Sequence, residues 1–292
     1  MTRRINTLAR CMVCGSGTRL IGTKADKRAY VRCESCDTVQ LDPVPTSEEL
    51  KLLYSEEYTA VGYQLPAEIL KKVRSPLDRF SLKLLREYCP HGHILEIGPG
   101  NGFFMDKLRL SNIECSGLEP SGDYYKLLCE KGLDVKRGFI EDLPEKDWKV
   151  SGVYMANVFE HLNDPSEALS CISSVLATDG CIVMSQPTAY LGPYLGRIIQ
   201  IFTRSPHIPD LGGWLASPYH ICLISPRGMQ QLCERLGLIL IAVYPTPTEG
   251  VTGIGRLPRI LMDVVNRIGA KVSMRWPLIQ SHHFVIGFKA RT

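Results

Sequence analysis

The stretch His93-Ile94-Leu95-Glu96-Ile97-Gly98-Pro99-Gly100-Asn101-Gly102-Phe103-Phe104 constrains this chain more than any other. A short apolar run, three glycines in alternation, and apolar residues at helical spacing through Met105 and Leu108 read as strand, tight turn and helix. The glycines let the backbone bend sharply and keep side chains away from a bound molecule. The start of the helix offers N–H groups to a polar ligand. A dinucleotide fingerprint would place its third glycine at position 103, where Phe103 stands instead. The pattern here is Glu-x-Gly-x-Gly-x-Gly, and Glu96 ahead of the bend disfavours a pyrophosphate and suits a cation. A second acid, Glu119, closes the next strand-like run, which begins at Ile113. A carboxylate at that strand tip can accept hydrogen bonds from both hydroxyls of a ribose.

These residues resemble motif I of class I S-adenosylmethionine-dependent methyltransferases. Gly117-Leu118-Glu119-Pro120-Ser121 is similar to their ribose-binding segment, and the resemblance runs from about His91 to Leu240. It implies that S-adenosylmethionine, with its sulfonium and ammonium charges, is held by Glu96, Gly98, Gly100, Gly102 and Glu119. In that family the segment matching Gly138 to Pro144 lies along the adenine. Many members carry an acid where this chain has Phe139, so Phe139 is expected either to stack on the base or to serve as core. Ile140, through its backbone, or Glu141 would then contact the base. Asn157, after the strand Val153–Ala156, would lie near the methionine part of the donor. The following Glu160-His161 pair invites a reading as a base or a metal pair, but in related enzymes it occurs with many substrates, which suits a structural turn better; His161 stays open as a catalytic candidate.

The rest of the chain alternates strands and helices, as a doubly wound sheet requires. Further strands are expected at Leu133–Val135, Cys181–Met184, Leu238–Tyr244 and His283–Phe288, the last at the sheet edge. The expected fold is α/β, a Rossmann-like, mostly parallel seven-stranded sheet preceded by a small zinc-ribbon-like module. Residues 1–45 would form that module and 46–90 a helical connector. Residues 91–292 would form the methyltransferase domain, with insertions near 187–224 and 246–280. The connector carries a capping signature at Thr46 to Glu49 and the tyrosines Tyr54, Tyr58 and Tyr63, which either reach the active site or only join the two parts.

Of the 11 cysteines, Cys11, Cys14, Cys33 and Cys36 form two C-x-x-C pairs separated by 18 residues. Each pair aims two thiolates at one point, and two such turns complete the tetrahedron of a structural zinc site. A segment this small could hardly bury a stable core without the metal. The other seven are scattered among apolar residues, as reduced core cysteines are. Similar cysteine-rich modules occur in a subset of class I methyltransferases, several of which modify sugars, including nucleotide-linked deoxysugars.

The acceptor is expected to meet the insertion at residues 187–224, where Ser217-Pro218-Tyr219-His220 lies. His220 is the candidate general base or substrate ligand, with a packing histidine as the alternative. In zinc-bearing sugar C-methyltransferases a glutamate precedes this histidine and the pair acts as the base. Here Tyr219 takes that place, so the carboxylate that would steady the imidazole is missing.

A formal charge of +4 is too mild to argue for nucleic acid. The ribbon's Lys and Arg are scattered with little aromatic interleaving, so nucleic acid is not the expected partner. No apolar run approaches a membrane span and no signal-peptide core follows Met1, which points to a cytoplasmic protein. A basic amphipathic stretch around Ile260, Leu261, Val264, Val265 and Ile268, with Arg259, Arg267 and Lys271, could touch a membrane surface weakly or pack on its own domain. The expected acceptor is a small molecule such as a nucleotide sugar or glycan precursor, with O-, N- and C-methylation all open. Rival readings are an RNA-directed methyltransferase and a non-catalytic binding protein on the same fold.

Overall fold

Two sheets organise the chain in the computed structural model, which describes residues 9–54, 67–145, 149–187, 189–209, 215, 217–246, 264, 268 and 281–288. The smaller sheet is antiparallel. It joins β1 (Thr18–Thr23), β2 (Ala29–Cys33) and β3 (Val39–Asp42) to a two-residue strand from much later in the chain, β9 (Cys222–Leu223). Val39 pairs with Leu223 and Gln40 with Cys222.

Next comes α1 (Ser47–Leu52), capped as its sequence predicts. Thr46 accepts from the Glu49 amide at 3.2 Å, and the Glu49 carboxylate accepts from the Thr46 amide at 2.7 Å. The long helix α2 spans Ala67–Tyr88.

The larger sheet then unfolds in order. Its first elements are β4 (Ile94–Ile97), α3 (Phe103–Leu110), β5 (Cys115–Glu119), α4 (Gly122–Glu130) and β6 (Val135–Arg137). They are followed by β7 (Val150–Ala156), α5 (Pro165–Val175), β8 (Leu176–Pro187), α6 (Leu191–Thr203), α7 (Pro226–Arg235), β10 (Leu238–Pro245) and β11 (Ser281–Phe288). The spatial order is β10-β11-β8-β7-β4-β5-β6. Strands β8, β7, β4, β5 and β6 are mutually parallel, and β11 runs antiparallel to both its neighbours. This is the expected mostly parallel seven-stranded sheet.

One expectation is corrected. The strand at 283–288 does not lie at the edge but between β10 and β8. Its interior residues are buried on both faces, whereas β10 leaves Ile239 and Ile241 exposed and forms the edge. A second correction concerns the cysteines. Cys89 and Cys181 are joined by a disulfide between the end of α2 and β8, and Cys129 is exposed. The scattered seven are therefore not uniformly reduced core residues.

Two cores flank the sheet. On one face Leu84 and Leu85 of α2 and Phe104 and Leu108 of α3 pack on Tyr154, Val183 and Val285. On the other, Leu169 and Ile172 of α5 and Met229 and Leu232 of α7 pack on Leu95, Val153, Ile182 and Phe284. Cys11, Val13, Cys33 and Cys36 of the N-terminal segment join this second core. Arg32, almost fully enclosed, donates to the Ala189 carbonyl at 2.8 Å and lies over the Tyr194 ring at 4.4 Å.

Of the stretch around 246–280, only Val264 and Ile268 among the apolar positions named above lie within the described residues, and both are exposed. Among the described residues no helix is long and apolar enough to cross a membrane.

Candidate functional site

The bend after β4 has the geometry its glycines require. Gly98, Gly100 and Gly102 have φ of 66°, 53° and 72°, the left-handed region that other residues enter only at a cost. Their roles differ. A Cβ on Gly98 would meet Val158 Cγ2 at 2.7 Å, and one on Gly102 would meet Leu128 Cδ2 at 2.6 Å. A Cβ on Gly100 would meet nothing within 4 Å. The outer glycines permit close packing, and the middle one keeps a cradle open.

Glu96 is buried on β4, with Gly117 and Tyr154 as its partners on the neighbouring strands. Glu119, at the tip of β5, accepts from the Gly100 amide at 3.0 Å through one oxygen and from the Ser121 amide at 2.9 Å through the other. Each oxygen keeps a lone pair for a further donor. Burial pushes the Glu119 carboxyl above its ordinary range, and the two amides oppose that shift. Ser121 in turn caps α4.

Phe139 and Ile140 follow β6, near Glu119. Ile140 is buried and opens a 3-10 turn. Phe139 is half-buried, its amide tied to Asp142 at 2.8 Å, with the Lys51 ammonium of α1 5.8 Å from its ring centroid. Asn157, just past β7, adopts φ of 55° and donates its amide to the Ser185 carbonyl at 2.9 Å. Such a conformation at a strand end facing the crevice fits a ligand contact. The predicted donor-side residues thus gather at the carboxyl ends of β4, β5, β6 and β7, the position where open parallel sheets bind ligands.

The four cysteines of the two C-x-x-C pairs converge, with sulfurs all within 4.8 Å of one another. Cys11 and Cys36 are 3.6 Å apart and Cys14 and Cys33 3.4 Å. A tetrahedron with zinc–sulfur bonds of about 2.3 Å has sulfur–sulfur edges of about 3.8 Å, so the cluster fits that ion. The amides of Ser35 and Cys36 both point at Cys33 Sγ from 3.4 Å. Gly15, with φ of 74°, closes the first turn.

A third group was not foreseen as a unit. Glu160 and His161 form a 3-10 turn after β7, as expected of them, but His220 comes to meet them. The rings of His161 and His220 lie 5.1 Å apart, edge to face. The Tyr219 carbonyl accepts from His161 Nδ1 at 2.9 Å, and the Ile221 amide donates to the Glu160 carbonyl at 2.7 Å. The Tyr30 hydroxyl of β2 donates to the His220 carbonyl at 2.8 Å. Tyr54 packs edge-on to His161 at 6.4 Å, so the connector does reach this cluster. Tyr58 and Tyr63 lie outside the described residues.

Enclosure drives the electrostatics here. Burial pushes the Glu160 carboxyl up to about 8. Burial, followed by the charge of His220, pushes the His161 imidazole down to about 3 against the carbonyls of Tyr219 and Asn157. Glu160, 60 positions upstream of His220, is the acid that meets this cluster, with one ligand atom of each within 4.8 Å of the other. No local pattern announced it, because the contact depends on residues 219–221 folding back onto the turn.

Residues 67–243 match the family model described as a methyltransferase domain. Three solved chains share the fold. One, from the complex of the Haloferax volcanii Trm112 methyltransferase activator with a methyltransferase, has 14% identity, 82% of this chain and 99% of that chain covered, and a TM-score of 0.54. The magnesium protoporphyrin IX methyltransferase of Synechocystis, solved with bound SAH, has 10% identity, coverage of 84% and 100%, and a TM-score of 0.52. The CcbJ methyltransferase of Streptomyces caelestis has 14% identity, coverage of 81% and 98%, and a TM-score of 0.51. No curated protein matches the sequence significantly.

Proposed function

This chain belongs to the methyltransferase-domain family, and on that premise we propose that it moves a methyl group from S-adenosylmethionine to a small-molecule acceptor. The observation that carries this reading is Glu119 spanning the Gly100 and Ser121 amides beside an open glycine cradle. The remaining lone pairs of that carboxylate suit two ribose hydroxyls, and Glu96 supplies negative charge on the neighbouring strand. Phe139 offers a flat face to the adenine and Asn157 a polar contact to the amino-acid end.

When bound, the donor supplies a methyl made electrophilic by its sulfonium. The chain's own work is to hold the acceptor in line with that methyl, exclude water and handle the acceptor's proton. His220 is assigned to the acceptor side, with Glu160 and His161 against it. A nucleotide sugar or glycan precursor suits the cysteine-rich module and the insertion that carries His220. The cysteine cluster is assigned a structural zinc, because four thiolates leave no coordination position for a substrate.

Isothermal calorimetry with S-adenosylhomocysteine tests the donor site. Micromolar or tighter binding by the parent protein, weakened in Glu119→Ala, is expected, and unchanged affinity in the variant removes the assignment. A one-methyl mass shift on a member of a pool of nucleotide sugars and small metabolites would identify the acceptor.

A further inference from the structure

Glu160 is an anomaly in its surroundings. Its side chain is wholly enclosed, and no other described residue gives either carboxylate oxygen a hydrogen bond; only its own backbone amide acts on it. No Lys or Arg among them pairs with it; the ion-pair neighbour is His161, whose Nε2 lies 4.0 Å from Glu160 Oε1. A buried carboxyl without partners costs several kcal/mol, and folded proteins usually meet that cost with a donor or a cation.

The neighbouring imidazoles are set as ligands. A carbonyl cannot donate, so the Tyr219 contact at 2.9 Å places the proton of neutral His161 on Nδ1 and the lone pair on Nε2, the atom nearer Glu160. Backbone carbonyls hold the far nitrogen of metal-bound histidines in this way. His220 brings a third candidate atom, and one ligand atom from each of the three residues lies within 4.8 Å of the others. Ligand atoms on a tetrahedral ion with bonds of about 2.1 Å lie about 3.4 Å apart, so the 4.0 Å separation of Glu160 and His161 would close slightly around an ion.

We propose that Glu160, His161 and His220 bind a divalent transition-metal ion, at a site distinct from the four cysteines. Two imidazoles and one carboxylate leave coordination positions open, unlike the closed thiolate cluster. The site adjoins the donor cradle, because Val158, two residues before Glu160, packs against Gly98. An ion held there can take an acceptor oxygen as a further ligand and lower the pKa of its hydroxyl. That use rests on the methyl-transfer reading; the binding of the ion does not.

The probe is Mn2+, which thiolate clusters bind poorly, titrated into zinc-loaded full-length protein and followed by electron paramagnetic resonance. One Mn2+ per chain is expected, and Glu160→Gln and His220→Ala should each weaken it at least 30-fold. Both variants should keep the parent's zinc content, melting temperature and S-adenosylhomocysteine affinity. His220→Ala, at a half-exposed position, guards against a folding failure in the Glu160 variant. Absence of bound Mn2+, or parent-like Mn2+ affinity in both variants, overturns the proposal. Retained Mn2+ binding without S-adenosylhomocysteine binding would sustain the metal site and defeat the donor reading instead.

Discussion

The proposed donor cradle and the Glu160-His161-His220 cluster adjoin where Val158 packs on Gly98, but they are assembled in opposite ways. Glu96, the three glycines and Glu119 fall within 24 consecutive residues, on two adjacent parallel strands whose tips converge. Glu160, His161 and His220 come from a turn after β7 and from the segment that enters the small sheet through β9. Local sequence therefore dictates the first site, and tertiary packing of the cysteine-rich segment dictates the second. Tyr30 on His220, Leu41 on Ile221 and β3 on β9 all bind the acceptor side to that segment.

The comparison breaks most openly if the cysteine metal is withdrawn. Structural zinc contributes on the order of 10 kcal/mol to small cysteine sites. Chelation, or Cys33→Ser, is expected to lower the melting temperature by 10 °C or more and to cut methyl transfer at least 100-fold. Affinity for S-adenosylhomocysteine should change less than 10-fold. Calorimetry and thermal melts on the same samples check this, and an equal loss on both sides would erase the distinction.

Acid should act next, through the large sheet that both groups stand on. His282 and His283 follow Ser281 at the start of β11 and pair with Gln186 and Ser185 of β8. Burial pushes both imidazoles down to about 3, and for His283 the charge of His282 adds to it. Unfolding frees them to titrate near 6.5, so the unfolded state binds more protons between pH 3 and 6.5. Their contribution to stability is fully present above about pH 6.5 and declines as the pH falls toward 3. At pH 5 the loss is about 2 kcal/mol per histidine relative to neutral pH. His282→Phe, which keeps a ring beside Phe284, should flatten the dependence of melting temperature on pH; an unchanged slope counts against the assignment.

Two smaller effects sharpen the donor side. Glu119→Ala removes the acceptor for two amides and for the proposed ribose contacts, and about 2–3 kcal/mol of donor affinity should go with it, about 30- to 150-fold by calorimetry. Phe139→Ala should cost about 1 kcal/mol, roughly fivefold, if the ring stacks on the base. No change would return Phe139 to the core alternative.

The same contrast explains what the sequence disclosed. The alternation of strands and helices, the glycine bend, the Glu119 tip and the C-x-x-C pairs are short-range patterns, and each appears where the residues predicted. The position of β11 could not be read that way. Its apolar run says that both faces are buried, but an internal strand and a covered edge look alike along the chain. Cys89 and Cys181 carry no spacing that marks them as partners, because only the approach of α2 to β8 brings them together. Glu160 looked like a turn residue and is one. Its enclosure by residues 219–221 and its nearness to His220 exist only in three dimensions.

The borrowed strand β9 has a consequence for anyone who would treat the cysteine-rich segment as a detachable cassette. Grafted onto another enzyme, it would travel with three of its four strands, leaving behind the one that Val39 and Gln40 pair with. The donor enzyme would lose, in the same cut, the anchor that sets the backbone of His220 in place. A successful transplant would have to carry residues 220–225 as well, which makes the cysteine-rich segment and that distant stretch a single structural unit.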